Sequence, residues 1–566
     1  MANDNLRSSE IDRFLFDVTE SMANDSEDGG DSDADDSKLS VSHSSYTREF
    51  ASVSLATDLF SNNSSSRQQD AHVRNPLPST SLQGRQLSQR DMDYIFDSDD
   101  SQDDPTYIPV PSPQQNIQED VFEQVDKDLY ISSSESESDD FTLNQSSYMF
   151  DKTPSNPTKY DLFIFNQPIG PKVPINIASP LSIFLFFIGN FLDTILFQSN
   201  LYANQQNVDL KLDKDELLAF FGILIVMGFH SLPSIRLYWS TDPMFHVEAI
   251  SKVMSLKRFL KILRYLHIND NTKAIQRGQP GFDKLFKIRP FIDHLKNTFS
   301  EGFSPSRFLS VDESMIGFKG RSSLKQYLPL KPIKRGFKVW AICCAVTGYL
   351  VCLDVYEGKN NVPLHREKDD TLGSSVVLAL CKSFETLGYC IFFDRFFTTI
   401  PLIKTLLNKG LFGCGTIQRN RKYLPNHLLK SDKNMKIGDS DYVSCGDLSI
   451  SKWKDRGKTS VMVVSSIHYT SEEAEVQRRN KTGEKVTIKC PKSIADYNKY
   501  MGGVDRFDQL LSTYSISQKS KRWWVNIFYY LLDTAFVNSF IMYNYVQKNA
   551  TTINDKKLSH LMSGNC

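Results

Sequence analysis

Apolar positions along this chain come in two rhythms, and the change from one to the other near residue 305 divides its ordered part. Residues 181–197 and 216–229 are almost continuously apolar. Each follows a helix-start signal, Ser179-Pro180 in one case and Asp215-Glu216 in the other, so two buried helices are predicted. In 256–264 the pattern is amphipathic: Leu256, Phe259, Leu260 and Leu263 fill one face, and Lys257, Lys261 and Arg264 fall at i, i+4 and i+7 on the other. A helical segment to about residue 300 follows from this. From Phe308 the period drops to that of strands. Residues 308–312 form one, and 338–344 and 349–356 form a hairpin about Thr347-Gly348. Next come a helix over 372–387, a strand over 389–393, a helix over 400–408 and a strand over 411–417. A three-stranded meander continued by β-α-β is a mixed α/β sheet. Residues 420–490 are basic and turn-rich, and two last helices are predicted over 497–511 and 523–545.

Before residue 155 there is no such rhythm. Ser, Asp, Asn and Gln dominate, with an acidic serine run over 132–140, and the segment lacks the apolar residues a core requires. It is predicted to be disordered, with Phe14-Leu15-Phe16 a candidate nucleus for a partner-bound helix. Charge follows the same division. The 566-residue chain has a formal charge of −2, but residues 1–150 hold 31 Asp and Glu against 9 Lys and Arg, and the remainder 36 against 56. A basic body behind an acidic arm implies a polyanionic partner, nucleic acid first. The nine cysteines all follow residue 342 without a CxxC pair, which fits a reducing compartment. Met1-Ala2-Asn3-Asp4 opens no apolar signal region. Asn190 and Asp193 interrupt one long apolar stretch, and Asn526, Asp533, Asn538 and Asn544 the other, so both are expected as buried helices and no membrane is expected as partner.

Three distant stretches carry the candidate chemistry: Ser310-Val311-Asp312-Glu313-Ser314, Ile391-Phe392-Phe393-Asp394 and Gly502-Gly503-Val504-Asp505-Arg506-Phe507-Asp508. Asp312 is expected to close the first strand and Asp394 the strand after the crossover helix, so both would project from one sheet edge. Asp505 and Asp508, three apart on a helix, would face one side. Together they could ligate two Mg²⁺ ions, which favour oxygen donors and activate water for phosphodiester attack. Taken singly, each aspartate is better explained as a helix cap or a turn closure; it is the three together that favour the metal reading. Lys331, Lys334, Arg335 and Lys338, and the Lys257, Lys261 and Arg264 stripe, are candidates for a DNA backbone, with an ordinary solvated surface the alternative for each group. Arg522 and Trp523, with Trp524, are a possible base-stacking platform, although core packing is an alternative for the indoles. No P-loop appears, and the histidines show no zinc-ligand spacing.

The motifs Asp312-Glu313-Ser314-Met315-Ile316-Gly317-Phe318-Lys319-Gly320-Arg321, Gln326-Tyr327-Leu328-Pro329 and Lys331-Pro332-Ile333-Lys334-Arg335-Gly336-Phe337-Lys338 closely resemble the piggyBac family of DDE transposases. The likeness extends to Tyr238-Trp239, Thr347-Gly348-Tyr349 and Tyr500-Met501-Gly502-Gly503-Val504-Asp505. After the compositionally disordered region (1–155), it implies a helical dimerisation and DNA-binding domain in two parts (156–305 and 515–566). Between them it implies an RNase H-like catalytic domain (306–420 and 492–514) interrupted by an insertion subdomain (421–491). It further implies a nuclear homodimer that cuts double-stranded DNA at transposon ends and joins it at TTAA, with Mg²⁺ or Mn²⁺ as cofactor and no small-molecule substrate. Asp312, Asp394 and Asp505 match the catalytic triad and Asp508 the additional acid. The family commonly has Asn where this chain has Arg395, and usually ends in a cysteine-rich zinc-binding domain, which is not expected in the sequence ending at Cys566. A descendant that binds DNA or chromatin without cutting is the alternative, and a scaffold recruiting partners through its acidic arm a third reading.

Overall fold

The structure, a computed structural model, describes residues 148–563 except 155–156, 173–179, 330, 359–370, 480–482, 514 and 517; the side chains of 180 and 550–563 are also outside the description. The acidic arm and the Ser179 cap therefore lie outside the described residues.

The principal helices of the first part are α1 (Pro180–Gln205), α2 (Lys214–Phe229), α3 (Leu256–Tyr265) and α4 (Arg289–Gly302). α2 starts one residue earlier than Asp215, because Asp213 is its cap and accepts a hydrogen bond from the Glu216 amide. Ser255 caps α3 in the same way; of its expected apolar face Phe259 is buried while Leu256, Leu260 and Leu263 are half-buried, and Ile262 turns inward beside it.

The sheet strands follow as β1 (Phe308–Gly317), β2 (Gln326–Tyr327), β3 (Arg335–Cys344), β4 (Leu350–Val355), β5 (Cys390–Phe393) and β6 (Phe412–Thr416). Helices α5 (Leu372–Cys381) and α6 (Ile400–Asn408) make the crossovers to β5 and β6. β1 pairs antiparallel with β3 and parallel with β5, β3 pairs antiparallel with β4, and β5 parallel with β6. The order is thus β4-β3-β1-β5-β6, with β2 on the same edge of β3 as β4. The middle strands are buried, which is why 335–344 and 390–393 read as near-continuous apolar runs.

The segment 421–491 does not stop at the sheet's border. Strands β7 (Ser440–Cys445), β8 (Leu448–Trp453) and β9 (Val461–Ser465) extend the same sheet, β9 pairing with β6, while β10 (Glu473–Arg479) and β11 (Lys485–Pro491) form a separate hairpin. Beyond it the helix expected over 497–511 is two helices, α7 (Lys492–Tyr500) and α8 (Gly503–Thr513), broken at Met501-Gly502. Close packing explains the glycine that restarts it: a Cβ on Gly503 would lie 2.3 Å from Ser310 Oγ and 3.1 Å from Ala345 Cα. Only glycine lets α8 rest this near the sheet.

α9 (Trp523–Ser563) runs behind the sheet, and 94% of its most apolar window is buried, so it is a core helix. Its amides are used: Asn538 Oδ1 accepts from the Leu350 amide and Asn538 Nδ2 donates to the Leu350 carbonyl, both at 2.9 Å, clamping the helix to β4. The apolar window of α1 is 39% buried, with Phe197 exposed.

Candidate functional site

Parallel register brings the first two motifs together. Val311 of β1 pairs with Phe393 of β5, so Asp312 and Asp394 occupy the next position on neighbouring strands. Asp312 does not end its strand, contrary to the pattern-based expectation; β1 continues to Gly317 against β3, and what ends at Val311 is its pairing with the shorter β5. The chain leaves β5 in a tight turn that Asp394 itself closes, its Oδ1 accepting from the Phe396 amide at 2.8 Å. Asp394 is thus both a turn residue and a member of the acidic group. α8 supplies the other two: Asp508 Oδ1 accepts from Ser314 Oγ of β1 at 2.7 Å, and Asp505 lies exposed in the first turn. Asp312 Oδ1 accepts from the Glu313 amide at 2.8 Å. A hydrogen bond from the protein therefore orients one oxygen of Asp312, Asp394 and Asp508 alike.

Glu313, Lys331 and Lys338 complete the site. Lys331, in the loop between β2 and β3, reaches back to β1: its Nζ donates to the Glu313 carbonyl at 3.2 Å and lies 3.5 Å from Glu313 Oε1. Lys338 of β3 is buried, its Nζ 3.9 Å from Glu313 Oε2 and 3.9 Å from the Trp340 ring centroid, with Phe396 beyond. The two lysines do not belong with Lys334 and Arg335, which are exposed. Because Lys338 alternates with Phe337 and Val339 on a central strand, its side chain had to enter the fold.

Burial and mutual repulsion set the electrostatics. Burial, then the charge of Glu313, raises the pKa of Asp312 well above the carboxylate range and also raises that of Asp394. Burial pushes Asp508 up to about 6 despite the bond from Ser314. For Glu313 burial acts upward too, but Lys338 and Lys331 outweigh it and the net shift is down. For Lys331 burial acts downward and is outweighed by Asp312, Glu313, Asp505 and Asp508, so the ammonium is held more firmly than usual.

These observations bear on whether divalent cations fit. Five carboxylates, Asp312, Glu313, Asp394, Asp505 and Asp508, face two ammoniums, Lys331 and Lys338. The donors are all oxygen, and all but the exposed Asp505 are largely desolvated, where hard cations compensate negative charge best. The donor chemistry fits. The carboxylates are nonetheless not drawn into one shell: among the described residues no three His, Cys, Asp or Glu groups stand close enough together to hold an ion.

The remaining candidates lie elsewhere. Lys257 and Arg264 are exposed on α3, while Lys261 Nζ donates to the Asp209 carbonyl at 2.8 Å. Arg522 caps the end of α3, its Nη2 donating to the Leu263 carbonyl at 2.6 Å. Trp523 and Trp524 are buried, one edge-on to Phe337 and the other beside His267, so neither indole presents a face for base stacking. Arg395 is exposed, and Arg421 donates to the carbonyls of Arg395 and Phe396, tying the 421–491 segment to the Asp394 turn.

The sequence model of the family described as Transposase IS4 matches residues 179–540, spanning every element of this site. The chain belongs to the piggyBac transposase family. Among human relatives it is 31% identical to PiggyBac transposable element-derived protein 2 over 64% of this chain and 61% of the relative. It is also 31% identical to protein 3 of that series over 60% and 57%. It thus spans about three fifths of the length of these piggyBac relatives. Its fold resembles a piggyBac transposase solved by cryo-EM as a synaptic complex with hairpin DNA, at TM-score 0.56 and 28% identity over 67% of this chain and 78% of that one.

Proposed function

We propose that this protein is a DNA transposase that cuts DNA strands and transfers them by a divalent-metal-dependent route. One observation carries the reading: the pairing of β1 with β5, and the bond from Ser314 of β1 to Asp508 of α8, bring Asp312, Asp394 and Asp508, far apart in sequence, to one partly desolvated acidic region, without closing them into a single shell. The order β4-β3-β1-β5-β6, a meander followed by two parallel crossovers, supports an RNase H-like catalytic domain built from 306–420 and 492–514. The flanking helical segments 156–305 and 515–566 would form the dimerisation and DNA-binding domain, and 421–491 the insertion.

Asp312, Asp394 and Asp505 would hold Mg²⁺ or Mn²⁺, with Asp508 in support. Bound there, the ions would supply charge stabilisation at a scissile phosphate and acidify a bound water. Ser314 orients Asp508, the Phe396 amide orients Asp394, and burial of Asp312 excludes bulk water from that side. Water and then a DNA 3′-hydroxyl serve as nucleophiles, so no covalent protein intermediate is needed. Double-stranded DNA bearing terminal repeats, a TTAA target, a homodimeric assembly and a nuclear location belong to the same proposal. The solved relative's hairpin-DNA complex supports the DNA class.

Terminal-repeat DNA incubated with the protein and Mg²⁺ should be nicked and converted to hairpin ends, and Asp394→Ala should abolish both. Wild type and variant equally inert, yet equally able to bind the DNA, would favour a non-cutting DNA-binding descendant instead.

A further inference from the structure

We infer that Lys331 is an internal counter-cation that competes with divalent ions for the acidic site, a role distinct from contact with the DNA backbone. The inference rests on the metal-dependent reading above. Geometry supplies the first reason: the ammonium sits on β1 beside Glu313, at 3.2 Å from its carbonyl and 3.5 Å from its carboxylate. The acids of β1, Asp312 and Glu313, and after them those of α8 hold its positive charge more firmly than usual.

The second reason is that the two lysines of the site are built differently. Lys338 is locked, buried on a central strand between Glu313 and the Trp340 and Phe396 rings. Lys331 stands on a loop with 28% of its side chain exposed, on a four-carbon stem that can swing without unpairing any strand. A fixed cation tunes a site permanently, whereas a movable one can be displaced. With Lys331 in place the carboxylates repel one another less and need no divalent ion to stay folded. When an ion binds, the ammonium must leave or remain as a like charge beside it, and either course weakens binding.

Removing this charge should therefore tighten ion binding. Mn²⁺ titrated into DNA-free protein, followed by calorimetry and by electron paramagnetic resonance, should bind Lys331→Met more tightly than wild type by on the order of tenfold. Lys331→Arg, which keeps the charge, should stay near wild type. In melting experiments Lys331→Met should be less stable than wild type in EDTA and gain more from Mn²⁺, because the ion then supplies compensation the lysine no longer does. Asp394→Ala should remove Mn²⁺ binding in either background. If Asp394→Ala removes binding but Lys331→Met leaves it unchanged or weaker, the counter-cation role is wrong and the metal site stands. If neither wild type nor Lys331→Met binds Mn²⁺, both readings fall together.

Discussion

Gly503→Ala tests whether close approach of α8 to the sheet is what places Asp505 and Asp508. The added Cβ would meet Ser310 Oγ at 2.3 Å, where a carbon–oxygen contact normally needs about 3.3 Å, so something must yield by roughly 1 Å. The same Cβ would also meet Ala345 Cα at 3.1 Å and the Cys344 carbonyl oxygen at 3.3 Å, backbone atoms that cannot rotate away. Overpacking of this kind costs about 1–3 kcal/mol. Alanine's better helix propensity opposes it by at most about 1 kcal/mol, and by less at the first residue of a helix. Net destabilisation of about 1–2 kcal/mol is expected from these two terms. A shift of α8 by part of an ångström should also cost strand cleavage up to about a hundredfold. Ser310 offers an internal control, because its hydroxyl is buried with no hydrogen-bond partner among the described residues. Ser310→Ala alone should be neutral or mildly stabilising. Combined with Gly503→Ala it should restore most of the lost stability, a coupling of about 1 kcal/mol or more in a double-mutant cycle. Denaturant melts of the four proteins give this coupling directly. Gly503→Ala as stable as wild type, or a double variant no better than Gly503→Ala, would refute the packing argument.

Two further outcomes follow from particular side chains. Burial holds the Asp533 pKa well above its ordinary value despite hydrogen bonds from Ser515 Oγ at 3.1 Å and the Ile516 amide at 3.0 Å. The folded chain thus keeps a proton that the unfolded chain releases near pH 4, so wild-type stability declines as pH rises from about 4 toward the folded pKa. Asp533→Asn should gain on wild type over that range by about 1.4 kcal/mol per unit of pKa difference, and parallel melting curves from pH 4 to 8 would count against it. On α3, Lys257→Ala and Arg264→Ala should each lower the slope of log K against log salt for duplex DNA by about 1. Lys261→Ala should change it less, since that ammonium is already bonded to the Asp209 carbonyl. Slopes unchanged from wild type in all three variants would remove the helix from the DNA interface.

Local pattern was enough to predict most elements here, because period and capping are properties of neighbouring residues. The alternation after Phe308, the Thr347-Gly348 hairpin and the amphipathic α3 all appear where their residues require. The acidic motifs were legible too, since aspartates ending apolar runs stand out. What the sequence left open is governed by distance across the fold. The need for glycine at 503 arises from Ser310 and Ala345, and the merging of β7, β8 and β9 into the main sheet from pairing between β9 and β6. Nor does any local rule say that Lys331 and Lys338 turn toward the acids while Lys334 and Arg335 face water. The sequence alone determines which residues are acidic, basic or apolar and where most helices and strands fall. Tertiary structure alone decided which charges meet, because the energy of a charge depends on its burial and its partners, and both are set by chain segments remote in sequence.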